Sequence, residues 1–262
     1  MQPFTLFEQT TQQRVSDRAS VTLFSDLGTT EQILVMVWPH FGDFDTLEYA
    51  WWLKRSLADL NDRKIAIRAI AIGDCDGGQR FCDYTGFPAE CLFVDPEAKL
   101  HQKLDLYPGL SLKLPGLGAT PSAWFNLLLM CAGIGSPGTL REVLRGYTGD
   151  RQAPQLIADE EVVQAPPLPP IKGKFFRRAG GSDFQRPFEL ATLRLRNMAE
   201  SLSHWRTYVP DARFLTQRGG TWLFNRAGEL LYEHRDRGIL GFADNMGAPL
   251  AFIPEQSTLQ AH

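Results

Sequence analysis

The stretch that decides the fold runs over residues 33–61, ILVMVWPHFGDFDTLEYAWWLKRSLADLN. Its first five residues are an unbroken apolar run, as in a parallel strand covered on both faces. Pro39 and Gly42 then interrupt regular structure, and a helical pattern starts at LEYAWW. Asp45 and Glu48 have capping-box spacing, with Asp43 as the alternative N-cap. Leu47, Trp51 and Leu57 are expected on a buried stripe, with Lys54, Arg55 and Asp59 toward solvent.

The pattern repeats outward. IAIRAIAIG, residues 65–73, is a second apolar strand, followed by the turn DCDGG and a helix expected over 79–84. Cys91 opens a short strand over 91–94, and a helix is expected over 97–104. This succession predicts parallel strands with their loops gathered at one edge. Helices are expected over 123–131 and 137–145, an extended segment at APPLPPIKG, and a helix over 188–205. The period of that last helix points Leu190, Leu193, Met198 and Leu202 toward a core. Residues 219–238, GGTWLFNRAGELLYEHRDRG, read as an antiparallel hairpin, and a terminal helix is expected near Gly241 or Phe242. The fold class is therefore α/β.

With 262 residues the chain is long enough for one enlarged domain or two small ones. A net charge of −3 gives no footprint for nucleic acid, and the basic residues Lys172, Lys174, Arg177 and Arg178 form only a short cluster. The N-terminus carries polar and acidic residues too early for a secretory signal, and the apolar run from Trp124 is too short to span a bilayer. A cytoplasmic setting is the default expectation. Four cysteines without zinc-ribbon spacing suggest reduced thiols. Nucleotide-loop and nucleophile-elbow patterns are lacking, so no cofactor is expected.

Three strings, in order, resemble the peroxiredoxin-like AhpC/TSA proteins of the thioredoxin superfamily: HFGDFDT, TGFPAECLFVDPEAKLHQKLDLYPG and GGTWLFNRAGELLYEHRDRG. The wording is similar to cyanobacterial and plastid-associated members, which implies a photosynthetic setting. The resemblance implies a thioredoxin-like mixed sheet with flanking helices and a large, partly helical insertion at about 109–210 before the closing hairpin. The domain would occupy 1–250, leaving 251–262 as a flexible tail. The resemblance also implies thiol-dependent peroxide reduction, but the motif's two cysteine positions fall on Asp43 and Thr46, and Gly219-Gly220 stands where thioredoxins carry a cis-proline. A thiolate at a helix N-terminus is supported by free amides and the helix dipole. A carboxylate receives the same support without thiol chemistry.

Two functional expectations follow. In the first, conventional peroxidatic chemistry is lost and the chain binds a protein partner or a second copy of itself. His40, Asp43, Asp45, Thr46 and Arg235 are its binding-edge candidates, and the apolar residues 124–134 are a candidate patch. In the alternative, an unconventional thiol-dependent reductase uses Cys75 or the Cys82/Cys91 pair with a thiol reductant. Cys75 is the expected exposed thiol, although Asp74 and Asp76 disfavour its thiolate. A separate expectation is a hard-cation site in which Asp43, Asp45, Asp74 and Asp76 converge.

Overall fold

A computed structural model describes residues 2–116 and 118–253. The two apolar runs form the centre of a seven-stranded sheet. β3 (Gln32–His40) lies parallel to β4 (Ile65–Ile72), and β4 lies parallel to β5 (Leu92–Val94). The closing hairpin, β8 (Gly220–Asn225) and β9 (Leu230–Arg235), adds antiparallel on the other side of β3. An N-terminal hairpin that the sequence reading did not anticipate, β1 (Thr11–Arg14) and β2 (Ser20–Thr22), caps the β5 edge. The order is β2-β1-β5-β4-β3-β8-β9, a mixed thioredoxin-like sheet.

Alternation along β3 splits the core into two layers. Leu34, Met36 and Trp38 face α2 (Phe44–Asp62) and α3 (Cys75–Thr85). Ile33, Val35 and Val37 pack with Phe7 of α1 (Pro3–Gln9) and Leu100 of α4 (Lys99–Lys103). Leu47 is buried as expected, while Trp51 and Leu57 are only partly covered. Because β3 and β4 are parallel, α2 and α3 both begin at the carboxyl edge of the sheet. Between these helix starts, Gly73 adopts φ +154°, and a β-carbon there would lie 2.7 Å from the Phe41 ring. Gly219 is equally constrained: its β-carbon would sit 2.2 Å from the Val37 carbonyl oxygen. Glycine at 219 therefore lets the chain entering β8 press against β3.

Between α4 and β8 the chain forms α5 (Ala119–Cys131), α6 (Thr139–Thr148), a small β6–β7 pair (Val162–Val163 and Ile171–Lys172), α7 (Gly173–Gly180), α8 (Glu189–Ser203) and α9 (Trp205–Tyr208). Leu156, Ile157, Phe176, Leu190 and Leu193 form a local core that reaches Trp51 and Trp52 of α2. Arg194 of α8 grips the Glu48 carboxylate with two bonds of 2.7 and 3.1 Å. Arg55 donates to the Leu156 carbonyl at 3.0 Å.

The buried stripe of α8 differs from its hydrophobic reading. Leu190 and Leu193 are buried, but Met198 and Leu202 are exposed. Their expected place is taken by Asn197, which accepts from the Tyr84 hydroxyl at 3.0 Å, and by Ser201, which donates to the Gly42 carbonyl at 2.8 Å. The expected terminal helix is absent from the described residues, which run as turns from 239 to 253. Of the tail expected over 251–262, residues 254–262 lie outside the described residues. Phe252 stacks on Tyr232 with centroids 3.9 Å apart, and Ile253 is buried.

Candidate functional site

The turn after β3 delivers four of the five binding-edge candidates to one place. Asp43 is the N-cap of α2, accepting from the Asp45 amide at 3.0 Å. Its other oxygen meets the guanidinium of Arg218, which is fully buried. Arg218 also lies 3.4 Å from Asp45 and donates to the Thr216 carbonyl at 3.3 Å. Asp45 is held from a third direction, by the Leu240 amide at 2.6 Å and the Gly241 amide at 3.4 Å. The result is a two-carboxylate clasp on one arginine, joining the start of α2, the entry to β8 and the 236–246 loop.

Burial and the neighbouring Asp43 hold the Asp45 carboxyl well above the usual carboxylate range. A third acid, Asp236, sits on the same arginine's field and accepts from the Gly219 amide at 3.2 Å. Burial pushes it from its ordinary 3.8 up to about 7, opposed by His234 and Arg218. Its other oxygen has no hydrogen-bond partner among the described residues. Such a carboxyl is protonated in the folded chain and ionised in the unfolded chain between pH 4 and 7, the interval set by 3.8 and about 7. Its contribution to stability is thus complete below pH ~4 and lost as pH rises through ~7. Wild-type stability relative to Asp236→Asn is expected to fall by about 2–3 kcal/mol between pH 5 and 8. Urea midpoints measured at both pH values test this, and parallel profiles for the two proteins rule it out.

His40 is buried, edge-on to Trp205 with centroids 5.9 Å apart. Burial pushes its pKa down to about 4 against the pull of Asp43, leaving the ring neutral. Neither ring nitrogen meets hydrogen-bond geometry, although the Leu215 backbone is nearby. Thr46 is fully buried, and its hydroxyl also lacks a partner among the described residues. Arg235 is elsewhere: it pairs with Glu233 at 2.6 Å, donates to the Leu104 carbonyl and covers the Trp222 ring. The neighbouring His234 staples the 236–246 loop to β9, through Asp244 at 2.9 Å and the Gly241 carbonyl at 2.8 Å.

The cysteine candidates are placed differently from expectation. α3 starts at Cys75 rather than at Gln79, because Asp74 caps it by accepting from the Gly77 amide at 2.8 Å. Cys75 thereby turns inward and is 5% exposed, so it is not the exposed thiol the loop reading expects. Burial raises its pKa. Cys82 is buried, with its thiol pushed up to about 12 by desolvation. Cys91, in the short helical turn before β5, is half-buried and also raised by burial. All four cysteines are unpaired thiols.

The four acids of the cation expectation do not assemble. Asp43 and Asp45 hold Arg218, Asp74 caps α3 and Asp76 pairs with Arg18. Among the described residues no group of three or more histidine, cysteine or acidic side chains is placed to hold a metal.

Sequence reasoning misses Arg218, takes Asp236 only as a possible salt-bridge partner of Arg235, and takes Cys131 only as a buried or incidental thiol. Arg218 carries a weak signal, because it directly precedes the Gly219-Gly220 pair that must pack on β3. Cys131 ends α5 beside Phe44 in the wall of an apolar cavity. Burial raises its pKa, and Asp43, Arg218 and Asp45 are its charged neighbours. It is thus the cysteine whose surroundings overlap the clasp.

The profile of the AhpC/TSA antioxidant enzyme family matches residues 52–238. This chain belongs to that family. The match spans α2 to the closing hairpin, including the helices between α4 and β8, and begins after the turn bearing Asp43 and Thr46. A search of curated proteins finds no match. No helix among the described residues is long and apolar enough to cross a membrane.

Proposed function

We propose that this member of the AhpC/TSA family does not run thiol-based peroxide reduction at the α2 edge and works there by binding. The Asp43–Arg218 pair carries this reading. A carboxylate at the N-terminus of α2 satisfies the amide and the guanidinium that would otherwise stabilise a thiolate. It offers no sulfur lone pair to attack an O–O bond, and no sulfenic acid forms from it. Desolvation raises the pKa of Cys75, Cys82, Cys91 and Cys131, so little of any of these thiols is thiolate at neutral pH. Binding or assembly with a protein or a second copy of the chain, in the cytoplasm of a photosynthetic cell, completes the proposal.

The test is consumption of hydrogen peroxide and an organic hydroperoxide with dithiothreitol or thioredoxin as reductant. Wild type and the single variants Cys75→Ser, Cys82→Ser, Cys91→Ser and Cys131→Ser are expected to stay at the rate of buffer plus reductant. Sustained turnover that Cys75→Ser, Cys82→Ser or Cys91→Ser abolishes would establish the thiol-dependent alternative with Cys75 or the Cys82/Cys91 pair as its residues. Abolition by Cys131→Ser alone would move the reactive thiol to Cys131.

A further inference from the structure

Beside the clasp lies a cavity of about 340 Å³, between the start of α2, the end of α5, α6, α8 and the Ile239–Leu240 segment. Its volume falls at the lower end of the roughly 300–1,000 Å³ typical of small-molecule sites. Phe44, Val143, Leu195, Met198, Ile239 and Leu240 supply much of its wall. Met198 is 37% exposed, and two other wall residues, Tyr147 and Phe188, are more than half exposed. Large apolar side chains therefore ring an opening instead of closing over it.

Charge narrows what fits. Among the described residues lining the cavity, Arg194 is the only charged one. Its guanidinium is already taken by Glu48, at 2.7 and 3.1 Å, and by the Glu142 carbonyl at 2.8 Å. An anionic head group would have to leave water without finding a free cation, at a cost of several kcal/mol. A peptide segment would bring backbone amides and carbonyls into a wall with few polar atoms to receive them. A neutral apolar molecule incurs neither penalty and gains from the area it removes from water.

We infer that this cavity is a binding site for an uncharged, predominantly apolar small molecule, seated between α6 and α8 against Phe44 and Leu240. The inference goes beyond the partner-binding reading of the α2 edge, because it concerns a small-molecule site beside the clasp. The Leu240 amide donates to Asp45, so a ligand against this residue touches the backbone that holds the clasp. Cys131 in the wall provides a native reporter of occupancy.

The test uses the full chain and N-phenylnaphthylamine, a neutral fluorophore that brightens in apolar sites. Saturable one-to-one binding is expected. Decanol should displace the probe at least ten-fold better than decanoate, and should slow iodoacetamide modification of Cys131. Met198→Trp fills the mouth from an exposed position and is expected to weaken binding at least ten-fold. Leu195→Trp blocks the cavity from inside as a second variant, and circular dichroism confirms that both fold. Absence of saturable binding overturns the inference, as does equal displacement by decanoate or unchanged affinity in both folded variants. A dimer in sedimentation that excludes the probe and dissociates in Met198→Trp also overturns it, with a second copy as the occupant. None of these results depends on peroxide turnover, so failure here and failure of the non-peroxidatic reading are separable.

Discussion

Replacing Asp43 by cysteine is expected to create a peroxide-reactive thiol at the start of α2. The new sulfur would stand at the N-cap of α2, within reach of the Asp45 amide and the Arg218 guanidinium that now hold the carboxylate. Both favour the thiolate, and the thiol pKa should fall from about 8.5 to below about 7. Asp45 opposes this only in its ionised form, and burial already favours its neutral form. Thiolate attack on the O–O bond would form an S–O bond and yield one sulfenic acid, while the departing oxygen leaves as hydroxide or alkoxide and takes up a proton. One equivalent of peroxide should be consumed per chain, with a 1,3-diketone adduct mapping to position 43. Adding Arg218→Met should return the thiol pKa toward its ordinary value. A thiol at position 43 that neither titrates low nor labels after peroxide would show that the edge lacks the electrostatics assigned to it.

Removal of Arg218 alone should have the largest effect on stability. Its guanidinium is fully buried and serves Asp43 and Asp45, with Asp236 also in its field. Arg218→Met leaves those acids in a desolvated site without their cation, and breaking a buried pair in this way costs about 3–5 kcal/mol. The loss should be greater at pH 8 than at pH 5, because without the arginine the acids become neutral more readily as pH falls. The double variant Asp43→Asn/Arg218→Met should recover part of the loss. Urea unfolding at the two pH values measures all three effects. A loss below about 1 kcal/mol with no pH dependence would mean the clasp is not a coupled charge site.

The clasp also explains why the site was only half legible in sequence. HFGDFDT follows an apolar strand and precedes a helix, so local chemistry places Asp43 at a helix start. The sequence does not say what an N-cap carboxylate faces. Its partner is 175 positions away along the chain, brought in by the pairing of β8 with β3. Cys75 failed for a local reason: Asp74 captured the helix start and turned the thiol inward. Met198 and Leu202 failed for a tertiary one, since Asn197 and Ser201 fill the α8 face that meets Tyr84 and Gly42.

By itself the sequence determined the parallel β3–β4 centre, the closing hairpin and the carboxyl edge that gathers the loops. These follow from apolar runs and turn residues, whose preferences act within a few positions. Only the tertiary structure decided that Asp43 and Asp45 share a buried arginine while Asp74 and Asp76 are engaged elsewhere, and that an apolar cavity opens beside Phe44. Charge pairing and cavity shape depend on which distant segments meet, and burial strengthens those pairings by removing the water that would screen them.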